Sequence, residues 1–327
     1  SSRPLGGQRG HEVPSVGARM RACVDIGGTK IAVSLSADSH TPLVGRRSEP
    51  TAKTGGNDAV ALQILRLIDE ACAEQNIASA SIDRVGVSSA GPFEIRDGMV
   101  ELASPNICGG IAGPARGLPN QWMTALIEAP LKRRFAHVRV ENDAVAALEA
   151  ERRWGALQGV DHCAFVTWST GVGVGLCVDG HVLRGKNGNA GHAGHSFVSD
   201  DDNQALCGCG NFGDVEGLVA GNAIARRFGE PAVDLFAAAA RGEAKALATT
   251  DALCRVMGRM LFNLVATLDL QRISLGGSVF WNNRDFLLPR LQAQIDGKLA
   301  ALTRGAVLVA AGLGDRVGDY GAMALLD

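Results

Sequence analysis

The residues Asp25-Ile26-Gly27-Gly28-Thr29-Lys30, set between the apolar runs 22–24 and 31–35, bring a carboxylate, two glycines, a hydroxyl and an ammonium into one tight turn. Adjacent glycines let main-chain N–H groups approach an anion with no Cβ in the way. Thr29 and Lys30 add donors, and Asp25 stands at a strand end where it could hold a hydrated metal ion. A plain β-hairpin fits the same residues, because Gly-Gly between apolar runs is a general hairpin signal. Two further glycine turns close apolar runs: Ser169-Thr170-Gly171-Val172-Gly173 after residues 164–168, and Gly276-Gly277-Ser278 after residues 273–275. Of the eight cysteines, Cys207 and Cys209 sit close together in a polar, glycine-rich loop. Cys23, Cys163 and Cys177 fall inside apolar runs and read as small core hydrophobes, as in a cytoplasmic protein.

The elements that must position these turns follow from periodicity. Val60, Ile64, Leu67, Ile68 and Ala71 have helical spacing within 57–75, and a strand follows at 84–88. A helix is expected over 121–134, a strand over 137–140 and, past Glu141-Asn142-Asp143, a helix over 144–154. Strand, glycine turn and strand then recur from Ala164, which points to two related halves. Helices over 215–228, 234–240 and 250–268 precede the strand ending at Gly276; a last strand, 307–310, leads to a small-residue helix, 320–326. Strands alternating with helices indicate an α/β protein, and three glycine turns at strand ends suit a nucleotide held in a cleft between two α/β domains. No Walker lysine motif and no G-x-G-x-x-G after a first strand occurs, which weighs against P-loop and Rossmann folds.

The 327 residues, 46% hydrophobic and 20% charged, suffice for about two domains, and the net charge of −2 gives no basic stripe for nucleic acid or anionic membrane. No run of 18 apolar residues is present. Residues 1–20 lack periodicity and an apolar signal core, and read as a disordered tail or cloning remnant, with Met20 a possible natural start.

Taken in order, these motifs resemble the ROK family of sugar kinases, of the actin, Hsp70 and hexokinase superfamily, from about Arg21 to the C-terminus. The resemblance implies a two-domain, actin-like (ribonuclease H-like) fold with an interdomain cleft. It divides the chain into an N-terminal domain, 21–140, against which a C-terminal helix, 315–327, packs back, and a C-terminal domain, 141–314. It further implies ATP and Mg: Asp25 near hydrated Mg, Gly27, Gly28, Thr29, Lys30, Ser169, Thr170, Gly171 and Gly173 on the phosphates, Gly276 and Gly277 beside adenosine. The catalytic base of such kinases is the aspartate of a strand-end Asn-Asp pair, here Asn142-Asp143. A carboxylate that accepts a hydroxyl proton during γ-phosphoryl transfer makes chemical sense, although Asn-Asp is also a common helix cap.

By the same resemblance Gly91, Asn106, Asn142, Asp143, His192, His195 and Glu216 line a sugar pocket. Segment 188–195 corresponds to a G-E-x-G-H element whose glutamate is here His192. Imidazole offers one donor and one acceptor and could sit beside an acetamido group; the G-H-x-G-H form resembles bacterial N-acetylmannosamine kinases, with glucose or mannose kinases as the alternative. His195, Cys207 and Cys209 match ligands of the family's structural zinc site within a loop, 195–216, whose third cysteine is Asp214 here; a His-Cys-Cys-Asp set or a site without metal are both open. The run Asp200-Asp201-Asp202 reads as a solvated loop tip. The family's DNA-binding repressors are disfavoured by the short irregular stretch ahead of the first strand, and a homodimer is expected.

Overall fold

The computed structural model describes residues 19–38, 42–112, 117–200 and 205–326. Residues 1–18 of the expected tail, and Asp201 and Asp202 of the acidic run, lie outside the described residues. β1 (Met20–Ile26) starts at Met20, whose side chain is buried.

Two five-stranded sheets repeat one plan. The first has the order β3 (Val44–Pro50), β2 (Lys30–Ser36), β1, β4 (Ile82–Ser89), β8 (His137–Asn142); β1 and β2 form an antiparallel hairpin, and β4 and β8 run parallel to β1. The second has the order β11 (His181–Val182), β10 (Val172–Val178), β9 (Cys163–Trp168), β12 (Arg272–Gly276), β13 (Val307–Ala310), again a hairpin followed by parallel strands. Each sheet is covered on its own core. Val24, Ile26, Val33, Val85 and Val87 meet the face Val60, Ile64, Leu67 and Ile68 of the helix Ala59–Glu74, and Val166, Val174 and Ile273 meet Leu253, Met257 and Leu261 of the helix Ala244–Leu268. Because the hairpins occupy corresponding places, their glycine turns both fall at the strand ends where ligands of such sheets bind.

The chain passes between the sheets on two helices. Asp143–Trp154 follows β8 and leads to β9, while Val317–Ala324 follows β13 and returns to β1 and β4. They approach through small residues: a Cβ on Gly321 would come within 3.2 Å of Ala146, and one on Gly86 of β4 would overlap the Ala322 carbonyl.

Two expected helices turn out otherwise. Over 121–134 helix forms only at Glu128–Lys132, because Ala125–Leu126 becomes β7 of a third sheet with β6 (Met99–Leu102) and β5 (Phe93–Arg96), and Leu126 N–H is taken by the Asn57 carbonyl at 2.9 Å. Over 215–228 the chain bends at Ala220, with extended dihedrals (φ −59°, ψ 152°), between the helices Val215–Val219 and Gly221–Phe228. The bend lets Gly221 N–H donate to the Ser169 carbonyl at 2.8 Å, tying the second helix to the second glycine turn.

Candidate functional site

The first glycine turn is closed by Gly27 N–H on the Lys30 carbonyl (2.9 Å) and anchored by the Thr51 hydroxyl on the Gly27 carbonyl (2.7 Å). Thr29 and Lys30 are exposed at its tip. A Cβ on Gly28 would come within 2.6 Å of Asn106, so glycine here admits a side chain from the distant Ser104-Pro105-Asn106 segment. Asp25, half-buried at the end of β1, is pushed up to about 6 by burial and by the carboxylate of Asp319, against the opposing charges of Arg46 and Lys30 and a hydrogen bond with Ser88. Asp319 pairs with Arg46 at 3.2 Å. Neither residue lies in a local motif, and sequence reasoning passed over both.

Asn142 ends β8 and caps the next helix, its side-chain oxygen accepting Ala144 N–H at 3.0 Å. The cap is therefore real, and it leaves Asp143 as the first helical residue with Oδ1 at 2.8 Å from the same N–H. A Cβ on Gly173 would lie 3.9 Å from that Oδ1, which places the carboxylate beside the second glycine turn. Burial, then the charges of Asp25 and Glu216, push Asp143 up to about 7 despite its main-chain hydrogen bonds. Near-neutral affinity suits a group that takes up a proton in one step and returns it in another.

The second turn is held by Ser169 N–H on the Gly171 carbonyl (3.0 Å), and Val172 N–H donates to Glu216 Oε2 at 2.9 Å. Thr170 is exposed. Glu216 thus contacts the turn directly, while its other oxygen lies 3.9 Å from Cys207 Sγ. At the end of β12, Gly277 has φ +86°, and a Cβ there would meet the Trp168 carbonyl and the Thr167 hydroxyl; a Cβ on Gly276 would come within 2.9 Å of the Phe165 ring. Only glycine suits such a backbone at so close an approach.

His192 sits across from the cap. A Cβ on Gly91 would lie 3.1 Å from the His192 ring and 3.4 Å from Asn142 Nδ2, so these three residues form one wall. His192 Nε2 is buried with no hydrogen-bond partner among the described residues, and burial, then His195, hold the imidazole below its ordinary basicity. A buried nitrogen without a partner is costly unless a ligand meets it. The ring of His195 lies 6.1 Å from that of His192 and turns its Nδ1 the other way, to Asp214 Oδ2 (3.3 Å) and Cys207 Sγ (3.5 Å). The Cys209 thiol donates to Asp214 Oδ2 at 3.1 Å.

These four side chains offer ligand atoms that all lie within 4.8 Å of one another. A tetrahedral zinc, with Zn–S of about 2.3 Å and Zn–N or Zn–O of about 2 Å, needs its ligand atoms roughly 3–4 Å apart, so the ligand types suit the ion and the set would draw together slightly to hold it. Asp214 is fully buried and also caps the helix Val215–Val219 by accepting Gly217 N–H at 2.7 Å. Although burial favours its neutral form, hydrogen bonds from His195, Cys207, Cys209 and Gly217 N–H pull Asp214 below the usual range; the same contact raises His195. Segment 188–195 therefore faces the cleft with His192 and the cysteine loop with His195. Asp200 is exposed and belongs to neither group.

Glu151, two turns along from Asp143, is a further residue the motifs did not mark. It is fully buried and accepts N–H groups of Ala156, Gly312 and Leu313 (2.9, 2.9 and 2.8 Å) and the Ser274 hydroxyl (3.0 Å). A signal was present, since Glu151 continues the buried stripe Ala144, Ala147, Leu148 at helical spacing.

Two sheets of one plan, each with a glycine turn after its first strand and the second with a further glycine turn closing β12, define the actin-like ATPase fold. Within it the chain belongs to the ROK family, whose profile matches residues 21–327. It is 28% identical over 326 residues to a glucokinase of Aeropyrum pernix, spanning 92% of this chain and 95% of that one. It is 32% identical over 267 residues to an N-acetylmannosamine kinase of Salmonella paratyphi A, spanning 78% and 82% of the two chains. Among solved structures, the ROK hexokinase from Thermus thermophilus superposes with a TM-score of 0.73 at 30% identity, over 94% of this chain and 97% of that one. No helix among the described residues is long and apolar enough to cross a membrane.

Proposed function

We propose that the chain is an ATP-dependent sugar kinase that phosphorylates the 6-hydroxyl of an N-acylated hexosamine, N-acetyl-D-mannosamine before others. The observation that carries the kinase reading is Asp143, pushed up to about 7 beside the second glycine turn and next in sequence to Asn142, which meets Gly91 and His192 in one wall. Its carboxylate accepts the hydroxyl proton as that oxygen bonds to the γ-phosphorus and the bond to the ADP oxygen breaks. Gly27, Gly28, Thr29 and Lys30 and Ser169, Thr170, Gly171 and Gly173 hold the phosphates, and Gly276 and Gly277 flank the adenosine. Mg bound with the nucleotide would supply charge neutralisation, and Asp25 would hold its hydration shell. Asn106, His195 and Glu216 complete the sugar pocket with the wall residues.

The substrate choice rests on His192, whose free Nε2 suits an acetamido group better than the paired hydroxyls a glutamate would accept. Glucose is the second reading, favoured by the glucokinase relative. An ADP-release assay across N-acetylmannosamine, N-acetylglucosamine, glucose and mannose should give N-acetylmannosamine the highest kcat/KM. Strong preference for glucose would remove the substrate choice, and no turnover with any sugar would remove the kinase.

Zinc on His195, Cys207, Cys209 and Asp214 would hold the His195 ring still beside the pocket. About one zinc per chain is expected in protein purified without chelators; a content near zero would count against the site.

A further inference from the structure

The segment bearing His192 is fastened at both ends. At its root, Arg184 donates to Glu141 Oε1 at 2.5 Å and to Glu149 Oε1 at 2.8 Å, and Ala190 N–H reaches the Arg184 carbonyl at 3.0 Å. Beyond it, Val174 N–H of β10 donates to the Gly191 carbonyl at 3.1 Å. Between these lies Asn189, whose side chain crosses to the other half of the molecule. Its Oδ1 accepts Phe93 N–H and its Nδ2 donates to the Phe93 carbonyl, both at 2.8 Å.

Phe93 opens β5, an edge strand paired with β6 alone. A primary amide is a side chain that can donate and accept side by side, as a neighbouring peptide does, so Asn189 serves Phe93 as a one-residue substitute for a second strand. The Phe93 ring is buried, and a Cβ on Gly188 would lie 3.6 Å from it, so the loop backbone rests on this residue as well. Phe93 stands two residues after Gly91 and Asn189 three before His192, and Gly91 and His192 face each other across the pocket wall. The amide pair therefore sets how closely the imidazole approaches Gly91.

We propose that Asn189 is a positioning residue for sugar specificity: by latching the loop onto the β5 edge, it fixes His192 against Gly91 and so sets the space open to the substituent on the sugar. This rests on the sugar-kinase reading of the same site. The hydrogen bonds of the Asn189 side chain go to Phe93 and not to a glycine turn or to Asp143, so nucleotide binding and the chemical step are expected to stand apart from it.

Three variants test the latch. Asn189→Ala removes both hydrogen bonds, Asn189→Asp keeps the acceptor but sets a carboxylate against the Phe93 carbonyl, and Asn189→Gln keeps both groups on a longer arm. Steady-state kinetics should show sugar KM raised about tenfold or more in the Ala and Asp variants, consistent with the loss of about 1.4 kcal/mol or more of positioning, with kcat and ATP KM within twofold and with preference between N-acetylated and unsubstituted sugars eroded. The Gln variant should recover part of the loss. Sugar KM within twofold of wild type in Asn189→Ala overturns the proposal and leaves the kinase reading intact. Amide hydrogen exchange without substrate reads the latch directly: the Phe93 amide should exchange faster in the Ala variant, and unchanged protection overturns the latch even if wild-type protein phosphorylates no sugar.

Discussion

Asp143 and Glu151 are carboxylates two turns apart on one helix, and the protein around them treats them in opposite ways. Glu151 is fully buried and met by three main-chain N–H groups and a hydroxyl, with donors coming from the helix's own C-terminal turn, from β12 and from the turn after β13. Asp143 has local main-chain donors, and the side-chain charges that act on it, Asp25 and Glu216, are both negative. At Glu151 buried donors occupy the carboxylate, whereas at Asp143 burial and the negative charges of Asp25 and Glu216 keep a proton within reach. One helix thus anchors the second half of the molecule at its far end and offers a reactive group to the cleft at its near end.

The largest effect separating the two should come from Asp143→Asn. Removing the proton acceptor should cut kcat by about a thousandfold, while the melting temperature stays level or rises. Turnover near wild type would end the claim that this end of the helix is the chemical one. Glu151→Ala should do the reverse: chemical denaturation should show a loss of about 3 kcal/mol, because several buried donors lose their acceptor, with kcat per folded molecule changed only a fewfold. A stable but inactive Glu151→Ala protein would erase the contrast.

A smaller effect concerns pH. Asp143 works as a base when deprotonated, so kcat/KM should climb through a pH of about 7 and level off above it, and Asp25→Asn should shift the midpoint down by removing a neighbouring negative charge. Stability should run the other way. A carboxyl raised from 3.8 to about 7 by folding contributes stability that is fully present below 3.8 and is lost as pH rises through about 7. Asp143→Asn should flatten that slope in denaturation curves taken from pH 4 to pH 8, and an unchanged slope would place the raised affinity elsewhere.

Much of this was legible from the chain alone. The three glycine turns, the Asn142-Asp143 pair and the recurrence of strand, turn and strand are local patterns, and they reappear at strand ends of two sheets of like order. What stayed hidden depends on distant partners. The strands β5 to β7 are short, and Ala125–Leu126 looks helical until β6 and Asn57 claim its main chain. β3 reads Val-Gly-Arg-Arg-Ser-Glu-Pro, an edge strand whose charges conceal its pairing with β2. Asn189 meets Phe93 across 96 positions of sequence, a distance no periodicity spans.

The contact at Gly86, Gly321 and Ala146 also bears on how the molecule tolerates change. Both passages of the chain between the halves run through this spot, and neither helix offers a side chain there that could swing aside. An added methyl group at residue 321 would meet main chain on the opposing helix, so its bulk would be passed on to the angle between the halves and not absorbed in either core. The helix that would have to yield is the one whose first residue is Asp143, so a methyl group at residue 321 reaches the reactive end of the molecule through that helix.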